Sequence, residues 1–267
     1  LALVLVFALG ITGCASPEPA APGTDTPAAA EDQSLSKVMD SGKLVVGLAP
    51  FYPPFESTNE ETKEIESFDV DLMRALAAEM GVEVEFSPSE WQGLLGGLDK
   101  GDYDVLFTAM SKKEAAEANV EFSDVYYLLD DVILVANGNP EGIAGKADLK
   151  DKVIGIQSGS SAEQLADALK DELGIKEIKR YKLTQDAIND LKVGRVDAVF
   201  AGEAFAVEQS KVDDSFDVVG EPLESAELVG VFRKGSTALV AEFNKHLATL
   251  RSNGTYDALV EKWLTVK

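Results

Sequence analysis

The sequence predicts an α/β protein built as two units with a ligand cleft between them. From residue 43 onward, short apolar and β-branched runs alternate with helical segments, a rhythm typical of a mostly parallel sheet. The rhythm stops after VILVANG and restarts at KVIGIQSG, which indicates a second unit of similar size. The chain has 267 residues, 45% of them hydrophobic, and is long enough to form two cores.

The first unit begins with a strand at residues 43–49 and an amphipathic helix at residues 68–81 that ends on a glycine. A strand with alternating faces (VEVEFSP), a helix (WQGLLGGLDKG) and a buried strand (YDVLFTA) complete a βαβαβ order. Ligands of such sheets bind beyond the carboxyl ends of the strands, where strand ends meet helix starts.

In the second unit, the predicted strands are KVIGIQSG, IKEIKRYK and VDAVFAG, and the helices that follow them are SSAEQLADALKDELG, TQDAINDLKVG and EAFAVEQSK. The chain then returns to a strand, ELVGVFRKG, and to two helices, TALVAEFNKHLATLRSNG and TYDALVEKWL. This last segment is expected to pack against the first unit.

The first fourteen residues, LALVLVFALGITGC, form an apolar run that ends at the only cysteine. The run is shorter than the roughly 20 residues of a spanning helix and has the length of the apolar part of a signal peptide. No Met and no basic segment precede it, so we interpret it as a truncated signal. Its end looks like a bacterial lipobox, in which Cys14 carries the lipid. A cysteine left over in an ordinary signal is the alternative.

Residues 15–35 are predicted to form a disordered tether, because their Pro, Ala, Thr and Ser content offers no aliphatic anchors. Lipid and tether together would hold the folded part at a membrane surface, outside the cytoplasm. The formal charge of −23 argues against nucleic acid as a partner, since phosphate binding needs clustered Lys and Arg. The charge is compatible with steering of cationic solutes, and general solubility of an exported protein explains it equally.

Nine stretches together resemble one family: KLVVG, YPPFES, FDVDLMRALAAEMG, EWQGLLGGLDKGDYDVLFTAMS, EFSDVYY, LKDKVIGIQSGSS, LKVGRVDAVFAGE, VFRKG and NGTYDALVEKWL. Their order and spacing look like the polar-amino-acid solute-binding proteins of bacterial ABC importers, solute-binding protein family 3. The resemblance covers roughly residues 36–266. It implies a type II periplasmic-binding-protein fold, with two lobes joined by two hinge strands around a ligand cleft.

By this resemblance, lobe 1 is expected at residues 36–130 plus 222–267 and lobe 2 at residues 131–221. The expected partners are a small polar solute and the transmembrane subunits of an ABC permease, which reads the closed state. The resemblance implies a monomer and no cofactor.

The resemblance also implies a set of ligand-binding residues: Tyr52, Trp91, Thr108, Ala109, Ser111, Gln157, Gly159, Ser161 and Glu203. Tyr52 and Trp91 would form opposed aromatic walls, which suit an aliphatic stem or a planar or cationic group. A loop aromatic that covers the core and a structural tryptophan at a helix start are the alternatives.

Two predicted helix starts offer backbone N–H groups to an anion. Ser111 and Glu114 have the spacing of a capping box at one start, so structural and binding roles coexist there. Ser160 and Glu163 have the same spacing at the other start, after Gly159. By resemblance, this second turn contacts the ligand's carboxylate.

The chain departs from the family pattern at two positions. The family's arginine, which grips the α-carboxylate of the ligand, corresponds to Ala116. Its acid, which holds the α-ammonium, corresponds to Gly202. The next residue, Glu203, is either a substitute for that acid or a solvated acid at a helix start. Arginine's two-pronged geometry is not reproduced by lysine. The sequence therefore predicts a solute that is not an ordinary free α-amino acid.

Two other functions compete with a solute receptor. A dehydratase-type enzyme occurs on the same fold, but it needs a general acid and a grip on the substrate carboxylate. The only histidine, His246, is predicted on a helix surface, and we find no convincing nucleophilic triad or metal cluster in the sequence. The other alternative is a ligand-sensing subunit of a receptor. The sequence favours a receptor without enzymatic activity.

Overall fold

The computed structural model describes Ala2, residues 32–59 and residues 61–265. The predicted lipobox with Cys14, and the predicted tether as far as residue 31, lie outside the described residues. All elements given below belong to one compact unit that begins at Asp32. None of the described helices is both long and apolar enough to span a membrane.

The α-helices of the described residues are α1 (Ser34–Ser41), α2 (Phe68–Met80), α3 (Leu94–Lys100), α4 (Ser161–Leu173), α5 (Thr184–Lys192), α6 (Glu203–Ser210), α7 (Thr237–Ser252) and α8 (Thr255–Trp263). The strands are β1 (Lys43–Leu48), β2 (Phe51–Tyr52), β3 (Glu56–Thr58), β4 (Ile65–Glu66), β5 (Glu83–Pro88), β6 (Val105–Leu106), β7 (Val120–Phe122), β8 (Tyr127–Ala136), β9 (Val153–Gln157), β10 (Glu177–Tyr181), β11 (Ala198–Gly202), β12 (Phe216–Leu228) and β13 (Val231–Arg233).

The first lobe is built on a five-stranded sheet in the order β5-β1-β6-β13-β7. Strand β1 pairs in parallel with β5 and β6, while β13 runs antiparallel to β6 and β7. Apolar residues of α2 and α7, including the fully buried Phe68 and Phe243, pack in the core of this lobe. The chain returns to this lobe through β13, α7 and α8, as the sequence predicts.

The second lobe is built on a five-stranded sheet in the order β10-β9-β11-β8-β12. Successive residues of a strand point to opposite faces, so β8 contributes to two cores. Ile133 and Val135 pack with Ile154 against α4, while Val132 and Leu134 pack on the face covered by α5 and α6. The alternation of apolar residues along one strand therefore produces a sheet with helices on both faces.

Two antiparallel strands, β8 and β12, contribute to the cores of both lobes. Leu129 and Leu228 belong to the core of the first lobe, whereas Ile133 and Phe216 belong to cores of the second. The pairing of β8 with β12 shifts register between Val219 and Glu224. Two strands thus run from one lobe into the other.

The structure differs from the sequence-based expectations at three places. Helix α1 begins at Ser34, inside the predicted tether, because Asp32 and Ser34 accept hydrogen bonds from the first turn of α7. No α-helix begins at Ser111, and residues 112–119 form hydrogen-bonded turns instead. His246 is buried, with its Nε2 2.9 Å from Glu242 Oε1, because that face of α7 packs on the core.

Replacing Asp32 with alanine should destabilise the protein by about 1 kcal/mol, which lowers Tm by roughly 2–4 °C. The substitution removes the acceptor for the Ala238 N–H at 2.6 Å and the Thr237 hydroxyl at 2.9 Å. Thermal unfolding followed by circular dichroism measures the effect. The control is Asp40→Ala on the exposed side of α1, and equal Tm values for the two variants would contradict the capping role.

Candidate functional site

The carboxyl ends of strands from both lobes face one small cavity. Thr108 follows β6, while Gln157 and Gly202 end β9 and β11, at the edge where α/β sheets bind ligands. The cavity has a volume of about 50 Å³, which is room for a few water molecules and not for an amino acid. The lobes are therefore closed on each other, and a ligand enters only when they separate.

The structure brings most of the predicted ligand-binding residues together. The predicted residues that line the cavity are Tyr52, Trp91, Thr108, Ala109, Gln157 and Ser161. Ser111 and Gly159 do not line the cavity themselves, but each forms a hydrogen bond with a residue that does. The Ser111 N–H donates to Glu114, and the Gly159 carbonyl oxygen accepts from Trp91. Glu203 is exposed and lines a different surface cavity, beside Pro54 and Tyr127. Glu203 is therefore not a substitute for the family's acid in this conformation, because adjacent strand-end residues face different sides.

Both predicted aromatic residues join the two lobes. The Tyr52 ring stacks on Phe205 of the second lobe, with centroids 4.5 Å apart and an interplanar angle of 7°. The Tyr52 hydroxyl also accepts a hydrogen bond of 3.0 Å from the Gly202 N–H. Trp91 Nε1 donates to the Gly159 carbonyl oxygen at 3.2 Å. Tyr52 and Trp91 are thus interlobe contacts as well as walls of the cavity.

Gly202 has no room for a side chain in this arrangement. A Cβ atom there would lie 2.7 Å from both the Tyr52 hydroxyl oxygen and Leu129 Cδ2. Such distances are too short for van der Waals contact, so any larger residue would displace the tyrosine or the leucine. At the position to which the resemblance assigns the family's acid, the Tyr52 hydroxyl therefore fills the space that a side chain would need.

One carboxylate, that of Glu114, links the lobes at the centre of the cleft. Its Oε2 accepts the backbone N–H of Ser111 in the first lobe, and its Oε1 accepts the backbone N–H of Ser161 at 2.6 Å. The Glu114 N–H donates to the Ser111 hydroxyl at 3.2 Å, so the capping-box bonds form without a helix. Burial raises the pKa of Glu114 to about 7, although these hydrogen bonds act in the opposite direction.

The start of α4 is held by a second internal carboxylate, Glu163. The Ser160 hydroxyl accepts the Glu163 N–H at 3.2 Å, as the predicted capping box requires. The Glu163 carboxylate in turn accepts the N–H of Gly159, whose φ of 76° favours glycine. Arg180 forms an ion pair with the same carboxylate. Side chains of the protein itself therefore occupy backbone donors that the resemblance assigns to a ligand carboxylate.

Asp131, on β8, is a further carboxyl in the cleft and is only 3% exposed. Burial raises the pKa of Asp131 to about 6, and the negative charge of Glu224 acts in the same direction. The Ser161 hydroxyl lowers this pKa through a hydrogen bond. Asp131 and Glu114 thus both interact with Ser161, and neither has an ion pair with a basic side chain among the described residues.

A third carboxyl, Glu56, belongs to a buried pair with Asp69. Glu56 Oε1 accepts the Thr108 hydroxyl at 2.8 Å, and Asp69 Oδ2 accepts the Ala109 N–H at 2.7 Å. Burial, and then the charge of Asp69, raises the pKa of Glu56 well above its usual range. Because two like charges repel in a buried site, the charge of Asp69 favours the protonated form of Glu56. This pair orients the loop with Thr108 and Ala109, and both residues also line the cavity.

No lysine, arginine or histidine of the described residues lines the inner cavity, whereas Glu56, Glu114 and Asp131 do. Lys113 is exposed and pairs with Glu224 at 3.0 Å. Ala116 lies outside the cavity, in a groove of about 310 Å³ that Asp131 and Ser161 also line. Lys112, Lys113 and Glu224 line the same groove.

Sequence reasoning missed Glu56, Asp131 and Thr184 as lining residues, and it treated Glu114 only as a helix cap. Two adjacent acids inside the apolar strand YYLLDDVILVA were a usable signal for Asp131. Gln157 lines the cavity, and its Oε1 accepts the Thr184 hydroxyl at 2.8 Å. The role of Glu114 had no local signal, because its partner Ser161 is 47 residues away.

Comparison with known proteins agrees with the resemblance. The model of the family described as bacterial extracellular solute-binding proteins, family 3, matches residues 44–266. The L-cystine-binding protein TcyJ of Escherichia coli K12 is 31% identical over 88% of this chain and 87% of its own length. The arginine-binding extracellular protein ArtP of Bacillus subtilis is 33% identical over 84% of this chain and 86% of its own.

Solved structures give the same result. An ancestral arginine-binding protein bound to arginine superimposes with a TM-score of 0.76 and 34% identity, covering 84% of this chain and 99% of its own. An ancestral amino-acid-binding protein, a precursor of cyclohexadienyl dehydratase, has a TM-score of 0.78 and 32% identity over 87% of this chain and 100% of its own. The predicted two-lobed α/β fold is confirmed.

Replacing Glu114 with glutamine should reduce the loss of stability between pH 5 and pH 8. The pKa of Glu114 is raised from 4.5 to about 7 in the folded protein, so its stabilising contribution is complete below pH 4.5 and is lost as the pH rises through 7. Wild type should lose about 2 kcal/mol more than Glu114→Gln over this range in urea unfolding. Glu117→Gln, on an exposed neighbour, should follow wild type. Parallel profiles of wild type and Glu114→Gln would refute the assignment.

Replacing Gly202 with alanine should destabilise the closed protein by about 1–3 kcal/mol, because the new methyl group overlaps the Tyr52 hydroxyl and Leu129. Thermal unfolding and the radius of gyration from X-ray scattering measure the effect, and we expect a lower Tm and a more open particle. Gly96→Ala is the matched control, since a Cβ atom there meets nothing within 4 Å. A Gly202→Ala variant as compact and stable as wild type would contradict the predicted overlap.

Proposed function

This chain belongs to the bacterial extracellular solute-binding proteins of family 3, and we propose that it captures a small polar solute and delivers it to an ABC permease. The observation that supports the proposal is the convergence of Ser111 and Ser161 N–H groups, from opposite lobes, on one carboxylate in the cleft. A site divided in this way is complete only when the lobes are closed. Ligand binding is thereby coupled to a shape that a permease reads.

The solute class follows from the relatives and from the two changed positions. The relatives bind L-cystine and arginine according to their names. Ala116 and Gly202 stand where the family pattern carries its arginine and its acid, and Gly202 has no space for a side chain. The proposed solute is therefore amino-acid-like in size and polarity without the usual pair of α-carboxylate and α-ammonium groups.

The proposed location is the outer surface of the cell membrane. The lipobox-like end of the apolar segment supports lipidation of Cys14, and the Pro- and Ala-rich residues that follow support a tether. The proposed receptor acts as a monomer and presents its closed lobes to the permease.

A solute that binds should do so at one site per chain and should not be consumed. At 100 times its dissociation constant, it should stabilise the protein by about 2.7 kcal/mol, which raises Tm by several degrees. The experiment is a thermal-shift screen of polar amino acids, their decarboxylated and deaminated analogues, dipeptides and betaines, followed by calorimetry and by product analysis. Turnover of a solute by a small amount of protein would instead support the dehydratase-type activity.

The Trp91→Ala variant supplies the control for the site. It removes one wall of the cavity and the bond to the Gly159 carbonyl, so the affinity for the solute should fall at least tenfold. Trp91→Phe keeps an aromatic wall and removes only the donor, so its loss should be smaller. Unchanged affinity in both variants would place the solute outside this cleft.

A further inference from the structure

The cleft already contains the carboxylate that an amino-acid ligand would bring. The backbone N–H groups of Ser111 and Ser161, one from each lobe, both donate to Glu114. An incoming carboxylate would have to displace this side chain, and it would then add a negative charge beside Asp131. Two neighbouring negative charges repel each other strongly in a buried site.

The remaining lining is suited to a positive group. Tyr52 and Trp91 line the cavity together with Asp131 and Glu114, and both of these carboxyls interact with Ser161. Aromatic faces and desolvated carboxyls both attract organic cations, and a bound cation would replace the missing basic partner of the two acids. The positive charge of Lys113 acts on Asp131, but Lys113 is exposed and forms an ion pair with Glu224.

We propose, as a refinement that depends on the receptor function above, that the cleft binds a small organic cation without a carboxylate, such as an alkylamine or a guanidinium compound. Glu114 takes the place of the ligand's carboxylate in joining the lobes. Asp131 and Glu114 together balance the positive charge of the ligand.

The two cavities that share Asp131 and Ser161 limit the shape of this cation. The inner cavity between the aromatic residues and Gly202 is small, about 50 Å³ in the closed state. The groove beside Ala116 is larger, about 310 Å³, and shares Asp131 and Ser161 with the inner cavity, but Lys112 and Lys113 also line it. Because these lysines repel a positive group, a linear cation bound at Asp131 extends its chain into the inner cavity, beside Tyr52 and Trp91, when the lobes separate.

The first test is calorimetric titration of the full protein at pH 8 with matched pairs that differ only by a carboxylate. The pairs are agmatine and arginine, putrescine and ornithine, and cadaverine and lysine. We expect at least one amine to bind 30-fold or more tightly than its amino-acid partner. Tighter binding of the amino acids would overturn the cation assignment and leave the receptor function intact. Absence of binding by every amine and every amino acid would overturn both.

The second test exchanges the internal carboxylate. In Glu114→Ala, the two N–H groups are released, so we expect the amine to lose at least tenfold in affinity and its amino-acid partner to gain. Glu114→Gln, which keeps the shape and removes the charge, should lose amine affinity in the same direction and guards against misfolding of the alanine variant. Glu117→Ala, an exposed neighbour, should match wild type. An unchanged preference for the amine in both Glu114 variants would refute the role of this carboxylate.

Discussion

The closed cleft depends on one interaction, in which Glu114 accepts backbone N–H groups from Ser111 and Ser161 of opposite lobes. A buried carboxylate is stable only when hydrogen bonds or a positive charge compensate for its lost hydration. The two N–H groups compensate in part, and no basic side chain of the described cavity lining adds to them. The interlobe contacts of Tyr52 and Trp91 keep the lobes in the relative position that this bridge requires.

By the resemblance, the chain departs from the family pattern at Ala116 and Gly202, and under the proposed function both changes alter the charge of the cleft. At Gly202 a side chain is excluded, because the Tyr52 hydroxyl lies where a Cβ atom would be. Ala116 lines an open groove, and the Ser111 and Ser161 N–H groups both donate to Glu114. Among the described residues, the acids Glu56, Glu114 and Asp131 line the cavity, and no basic side chain does.

This arrangement changes what a ligand must supply to close the receptor. A ligand drives closure by binding the closed state more tightly than the open one. In relatives of the usual pattern, the ligand's own carboxylate would meet donors from both lobes. In this chain the Glu114 carboxylate is already held by Ser111 and Ser161, and under our proposal the ligand contributes the positive charge. Because Glu114 is already held in place, fewer groups become ordered on binding, and the entropic cost of binding is lower.

The sequence by itself determined the two-lobed α/β fold, the family and the place of the cleft, because strand and helix periods, glycine caps and motif spacings are local properties. Helices α2 and α4 and strand β9 lie where their patterns predict them. The tertiary structure decided that the ionisable groups lining the described cavity include Glu56, Glu114 and Asp131 and no basic residue. The capping box at Ser111 forms its bonds, yet the turn does not become a helix, since Glu114 also reaches Ser161 across 47 residues. Asp131 becomes buried, and Glu114 reaches Ser161, only when the two lobes pack together. No local sequence pattern encodes such contacts.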